Sequence, residues 1–207
     1  MVFIVIEGID GSGKTTQAKA LCESLSKLGY DIVEEREPTD GVIGKFIRQV
    51  LGEKVRLDLM SLQLLFVVDR NEHVKAIKHA IENSIVICDR YYYSTIAYGE
   101  ASGIERRYLE DMNSIFPVPD KTFFIDLSPE KAVERIASSR AKTEIFEKLE
   151  FMERISKSYS KFTESNIEHI DGDKGITEIT EELLSRTKAF LEERGIKPKV
   201  AKTRRRF

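Results

Sequence analysis

Near the start of the chain, Gly8-Ile9-Asp10-Gly11-Ser12-Gly13-Lys14-Thr15 sets glycines, a lysine and a hydroxyl in the spacing G-x-x-x-x-G-K-[ST]. That spacing suits a polyphosphate. Gly11 and Gly13 permit a turn whose N–H groups, with those of Ser12 and Thr16, point inward, and a helix beginning there adds its positive end. Lys14 reaches the β- and γ-phosphates, and the Thr15 hydroxyl coordinates Mg²⁺. The loop lies where this mechanism needs it, after an apolar run and before a helical pattern. The ligand is a nucleoside triphosphate. What receives its phosphate stays open, because motors, GTPases, transporters and small-molecule kinases share the loop.

Magnesium needs a second oxygen donor, and two carboxylates compete for the role. Asp89 stands where a short apolar strand stops and is followed by Arg90. Asp126 lies inside a later strand. Ligands of a parallel sheet collect beyond the carboxyl ends of its strands, which favours Asp89 for the metal and leaves Asp126 a structural role. Three arginines follow. Arg36 opens "REPTD", Arg70 sits in "LLFVVDRNEH", and Arg90 comes next to Asp89. Each alone reads as a surface residue; together they can encircle one phosphate, since guanidinium forks pair bidentately with phosphate oxygens. Phe66, four residues before Arg70, shares its helical face and offers either a surface for a stacked base or ordinary core packing.

The elements that must hold these residues alternate along the chain. Apolar runs predict strands over 2–6, 30–35, 85–89, 122–127 and 167–170. Between them Ala18, Leu21, Cys22 and Leu25 recur at helical spacing up to Gly29. Further helices are predicted over 43–51, 59–81 and 176–191, with another starting at Ser128-Pro129-Glu130. Alternation of this kind means a five-stranded parallel sheet covered on both faces, the three-layer α/β/α arrangement of the P-loop NTPases. A single domain over 1–195 is expected, with a small lid at about 137–148 and a basic tail over 196–207.

Composition sets the bounds. The chain has 207 residues, 41% of them hydrophobic, and a formal net charge of -2, so one core is affordable and no strong field favours nucleic acid or a membrane. The N-terminal apolar run is too short for a signal peptide or a membrane span. Cys22 and Cys88 lack metal spacing and read as buried thiols in a reducing compartment, which predicts a soluble, cytoplasmic protein. The tail "GIKPKVAKTRRRF" reads as a solvated terminus, or as a contact for a polyanion. There is no N-K-x-D guanine reader, which removes the GTPases, and a small kinase is the class that remains.

At this point the sequence resembles the thymidylate kinase family. The matching stretches are "IEGIDGSGKTTQ", "EREPTDGVIGKFIRQVL", "LLFVVDRNEHV", "VICDRYYYSTIAYGEA", "PDKTFFIDLSPEKAVERI" and "HIDGD", in family order to about residue 190. The resemblance implies transfer of the γ-phosphoryl of ATP to dTMP with Mg²⁺, and a homodimer packed through helices. It implies that Asp10 holds the acceptor sugar and that Arg36, Arg70 and Arg90 hold its phosphate. Phe66 stacks on thymine, Ser94 contacts the base, and Tyr98 crowds the second position of the sugar. Gly8, Gly11, Ser12, Gly13, Lys14, Thr15 and Thr16 serve ATP, Asp89 joins Thr15 on the metal, and Asp171 and Gly172 line the adenine. One variety of the family has an arginine after the acidic residue of the loop, where this chain has Gly11. The other supplies basic residues from the lid, which makes Arg140 in "ASSRAKTE" the expected cation over the moving phosphoryl, beside Lys142 and with Arg135 as a further candidate. Lys14, Arg90, Arg140 and Asp10 form the expected catalytic group. Two rivals stay open: a kinase for another pyrimidine monophosphate, and a P-loop regulatory NTPase.

Overall fold

The computed structural model describes residues 2–136 and 142–199, and side chains within those ranges outside 142–147. In chain order the elements are β1 (Val2–Glu7), α1 (Lys14–Lys27), β2 (Ile32–Arg36), α2 (Val42–Leu51), α3 (Leu59–Ala80), β3 (Ile85–Asp89), α4 (Tyr92–Ala101), α5 (Arg106–Asn113), β4 (Lys121–Asp126), α6 (Pro129–Ile136), α7 (Lys142–Tyr159), β5 (Ile167–Asp171) and α8 (Ile176–Glu193). The five strands form one parallel sheet in the order β2-β3-β1-β4-β5. From β1 the chain crosses to β2 on one side and later fills β4 and β5 on the other. The carboxyl end of β1 therefore faces the crevice where such sheets take ligands.

The apolar runs divide with period two between the layers, as a strand buried on both faces requires. Val2, Ile4 and Ile6 of β1 join Ile85 and Ile87 of β3 under α1 and α8. Phe3 and Val5 join Val86 and Cys88 on the opposite face, against Val74 and Ile77 of α3. Phe124 of β4 packs with Ile96 and Ala97 of α4 and with Met152 and Ile155 of α7. The expected helix after the P-loop is present, with Ala18, Leu21, Cys22 and Leu25 buried. Its end is a paired αL stop: Tyr30 N–H donates to Leu25 O at 3.2 Å and Gly29 N–H to Ser26 O at 3.0 Å, with Gly29 at φ 93°. Both cysteines are buried thiols.

The second strand begins two residues later than the sequence suggests and runs through Arg36, because Ile32 to Arg36 pair in register with Ile85 to Asp89. Helix α4 was not assigned from sequence. "YYSTIAYGEA" is aromatic and β-branched, with weak helix propensity, and it is helical because six of its residues are buried between α3, α5 and α7. Beyond α8 the chain returns to the start of β2. Ile196 packs on the core, Lys199 N–H donates to Gly29 O at 2.9 Å, and the Lys199 ammonium pairs with Asp31.

Candidate functional site

The carboxyl end of β1 turns into the phosphate loop at Gly8. A Cβ there would lie 2.7 Å from Ser12 Oγ and 2.8 Å from Ile125 O, so only glycine fits. Gly13 stands at the head of α1 with φ 89° and gives the helix no side-chain cap; the first turn of α1 also carries no acidic residue. First-turn N–H groups in that state favour an anion. Ser12 Oγ is buried with no partner among the described residues. Lys14 donates from Nζ to Ile9 O at 3.2 Å and lies 3.5 Å from Asp10 Oδ1. Burial, with Arg90 nearby, pushes its ammonium down to about 8.

Thr15 and Asp89, far apart in sequence, meet because β1 and β3 are neighbours. Thr15 Oγ1 donates to Asp89 Oδ2 at 2.5 Å, and Asp89 Oδ1 is buried without a partner among the described residues. A hydroxyl, a carboxylate and a spare carboxylate oxygen are the hard donors that Mg²⁺ prefers. Asp126 stands on the opposite flank of β1, on β4, where it accepts from His169 Nδ1 at 2.8 Å. It is not part of the loop.

Beside the loop, α3, α4 and α7 enclose a cavity of about 380 Å³. Phe66, Arg70 and Leu62 form its α3 wall, Tyr98 stands on α4, Phe151 on α7, and Asp10 and Arg90 lie at its edge. Arg90 joins the two halves of the site. It follows β3 with φ 70°, a left-handed conformation that is uncommon for a non-glycine residue. Its guanidinium donates to Ser94 Oγ at 2.7 Å and to Gly8 O at 3.4 Å, pairs with Asp10, and lies 5.1 Å from the centroid of the Tyr98 ring. Tyr98 OH accepts from Asp10 N–H at 3.1 Å. Burial alone would raise the Asp10 carboxyl, but Arg90 and Lys14 together hold it below its ordinary range.

Arg70 and Arg36 take different positions. Arg70 is 1% exposed. It donates from Nε and Nη2 to Glu37 Oε2 at 2.9 and 2.6 Å, from Nη2 to Thr95 Oγ1 at 2.8 Å, and from Nη1 to Asn113 Oδ1 at 2.5 Å. Four of its five N–H groups are thus taken, and among the described residues one is left for a ligand. Arg36 points to solvent, where it donates to both oxygens of Asp40 at 2.6 and 2.8 Å, and it does not line the cavity.

Sequence reasoning missed the supporting carboxylates. Glu7 is fully buried at the end of β1. It accepts from Tyr91 N–H at 2.8 Å, Ser94 Oγ at 2.7 Å and Tyr159 OH at 3.0 Å. Burial raises its carboxyl against the pull of Arg90. The signal was available: a glutamate closing a run of fully apolar residues has nowhere to go but inward. Glu37, Thr95 and Asn113 had no such signal, since their contacts with Arg70 join separate elements.

On the other side of the loop, Arg135 donates to Gly11 O at 3.3 Å and to Gly172 O at 3.2 Å, and so ties the P-loop to the turn after β5. Asp171 ends β5 and Gly172 opens that turn: Gly172 N–H donates to Asp126 O at 2.7 Å, and Asp171 Oδ1 accepts from Asp173 N–H at 3.0 Å. Arg140, expected over the phosphates, lies outside the described residues, as does the side chain of Lys142.

Comparison with known proteins points the same way. The family model described as thymidylate kinase matches residues 6–183. A probable thymidylate kinase of Methanococcus aeolicus is 44% identical over 157 residues, covering 76% of each chain. One of Pyrococcus horikoshii is 41% identical over 169 residues, covering 78% of this chain and 82% of its own. The crystal structure of thymidylate kinase from Ehrlichia chaffeensis superposes with a TM-score of 0.73 at 32% identity, over 90% of this chain and 98% of that one.

Proposed function

Because the chain belongs to the thymidylate kinase family and phosphorylates dTMP, we propose that ATP with Mg²⁺ is its donor, that dTDP is its product, and that the residues grouped above do the work. The observation that carries this reading is the position of Arg90. One guanidinium touches the phosphate loop through Gly8 O and Asp10 and the neighbouring cavity through Ser94 and Tyr98. A cation so placed faces both the phosphate that moves and the phosphate that receives it.

Phosphoryl transfer needs in-line placement and neutralised charge more than covalent chemistry. The backbone from Gly8 to Thr16 and the ammonium of Lys14 hold the donor phosphates. Thr15 and Asp89 would hold Mg²⁺, which would supply charge neutralisation to the donor phosphates. The turn at Asp171 and Gly172 lines the adenine, and Arg135 closes that side. In the cavity Phe66 stacks on thymine, Arg70 gives its remaining N–H to the nucleotide, Ser94 backs Arg90 and lies against the base side, Tyr98 crowds the second carbon of the sugar, and Asp10 orients the sugar. Arg36 exchanges Asp40 for the dTMP phosphate. Arg140 completes the cation set from the segment between α6 and α7. Met60, Leu64 and Val68 of α3 present an exposed apolar face at 37, 46 and 47% exposure, which suits a second copy of the chain in a homodimer. No helix among the described residues is long and apolar enough to cross a membrane, and buried thiols suit the cytoplasm.

The test is a coupled ADP assay with ATP and Mg²⁺ over dTMP, dUMP, UMP, dCMP and CMP. ADP release that depends on dTMP, with dTDP formed, is the expected result. Equal ATP turnover with and without dTMP overturns the reading, and preference for UMP or CMP moves the acceptor to another pyrimidine.

A further inference from the structure

Behind the cavity lies a buried cluster that phosphoryl transfer does not use directly. His73, 6% exposed on α3, sits between two carboxylates. Its Nε2 is 3.0 Å from Glu35 Oε2 and its Nδ1 is 3.1 Å from Glu37 Oε1. The other oxygen of Glu37 takes Arg70 from two nitrogens. Glu37 and Arg70 both line the cavity, whereas His73 does not. A neutral imidazole has one N–H and one lone pair, so it could satisfy one of these carboxylates and would turn its lone pair on the other. Only the imidazolium donates to both.

We propose that His73 is a positioning residue: its doubly protonated ring fixes Glu37, and through Glu37 the guanidinium of Arg70, at the orientation in which the acceptor nucleotide is bound. The proposal rests on the reading of the cavity as the acceptor site. Two cations and two carboxylates alternate here as Glu35, His73, Glu37 and Arg70, so the cluster is neutral when His73 carries its proton. Loss of that proton leaves one carboxylate facing a lone pair; in the Nε2–H tautomer it is Glu37, which is buried and shares its other oxygen with Arg70, whereas in the Nδ1–H tautomer it is the partly exposed Glu35. The groups facing the cluster do not substitute for it. Cys88 of β3 and Tyr91 at the head of α4 both feel Glu37, and burial holds both protonated above their ordinary values. Burial alone would lower the imidazole, but the hydrogen bonds it donates to Glu35 and Glu37 raise it to about 9.

The experiment compares the full-length parent enzyme, His73→Gln and Glu35→Gln by steady-state kinetics with ATP, Mg²⁺ and dTMP from pH 7 to 10. Gln carries its donors on one nitrogen and no positive charge, so it cannot replace both ring nitrogens of the imidazolium. His73→Gln should raise the KM for dTMP about tenfold, the effect of losing one charge-assisted hydrogen bond, with kcat within about threefold and the KM for ATP unchanged. In the parent the KM for dTMP should climb as pH passes about 9, and this step should be absent from His73→Gln and displaced to lower pH in Glu35→Gln. A purely structural role would lower thermal stability and leave the KM for dTMP and its pH profile alike in parent and variant, which overturns the proposal. Should His73→Gln not fold, ¹⁵N shifts of the parent's imidazole decide: two protonated nitrogens at pH 8 support the assignment, and a neutral tautomer overturns it. A parent enzyme indifferent to dTMP would defeat the reading of the site instead.

Discussion

Raising the pH from 6.5 through about 9 should withdraw the stabilisation that the charged His73 imidazole gives this fold. His73 has an ordinary value of 6.5 and is raised to about 9 in the fold, where burial opposes its charge but Glu35 and Glu37 more than compensate. A group whose pKa is higher folded than unfolded contributes its full stabilisation below the unfolded value and loses it as pH rises through the folded one. The window is therefore 6.5 to about 9. Across it, at ~1.36 kcal/mol per pH unit, the interaction is worth about 3 kcal/mol, a large share of the ~5–15 kcal/mol that holds a typical domain folded. Urea unfolding of the parent and His73→Gln at pH 6, 7.5, 9 and 10 isolates the term, because the other titrating groups are common to both proteins. The gap between them should be widest at pH 6 and narrow by about 3 kcal/mol by pH 10. A gap that stays constant with pH would show that His73 is not charged in the folded protein, and the argument from its two carboxylates would fail.

Other consequences can be measured separately. Asp89→Asn removes the carboxylate beside Thr15 and should lower kcat by about a hundredfold or more while dTMP still binds, read by the coupled assay and by calorimetry. Phe66→Ala should raise the KM for dTMP between about fivefold and a hundredfold, the span of one lost base stack, and leave the KM for ATP unchanged. Val68→Glu places a charge on the exposed apolar face of α3 and, if the proposed homodimer packs there, should halve the mass seen in sedimentation; an unchanged mass would refute that contact. In Gly44→Ala the new Cβ would lie 2.0 Å from Thr39 O, so the loop held through Thr39 to Asp69 must shift. Its melting temperature should drop by several degrees and its KM for dTMP should rise.

The donor half of the site was legible in the sequence because its chemistry is local. Gly8 to Thr16 are consecutive, they follow a strand that is fully buried and apolar up to Glu7, and they open a helix with apolar positions at helical spacing. β1, β3 and β4, buried on both faces, give a continuous apolar signal, and the shorter, partly exposed β2 and β5 were legible from their alternation with helical patterns, so the five-stranded parallel sheet was legible too. Phe66 and Arg70 were legible as a pair on one helical face. Tertiary structure decided the rest. It turned Arg70 inward onto Glu37, Thr95 and Asn113, and sent Arg36 outward to Asp40. It brought Thr15 to Asp89 across neighbouring strands, and His73 between Glu35 and Glu37. Spacing along a chain fixes which residues share a turn or a face. Which charge meets which counter-charge depends on the strand order and on how much water is excluded at each meeting point, and those are properties of the folded sheet and its helices.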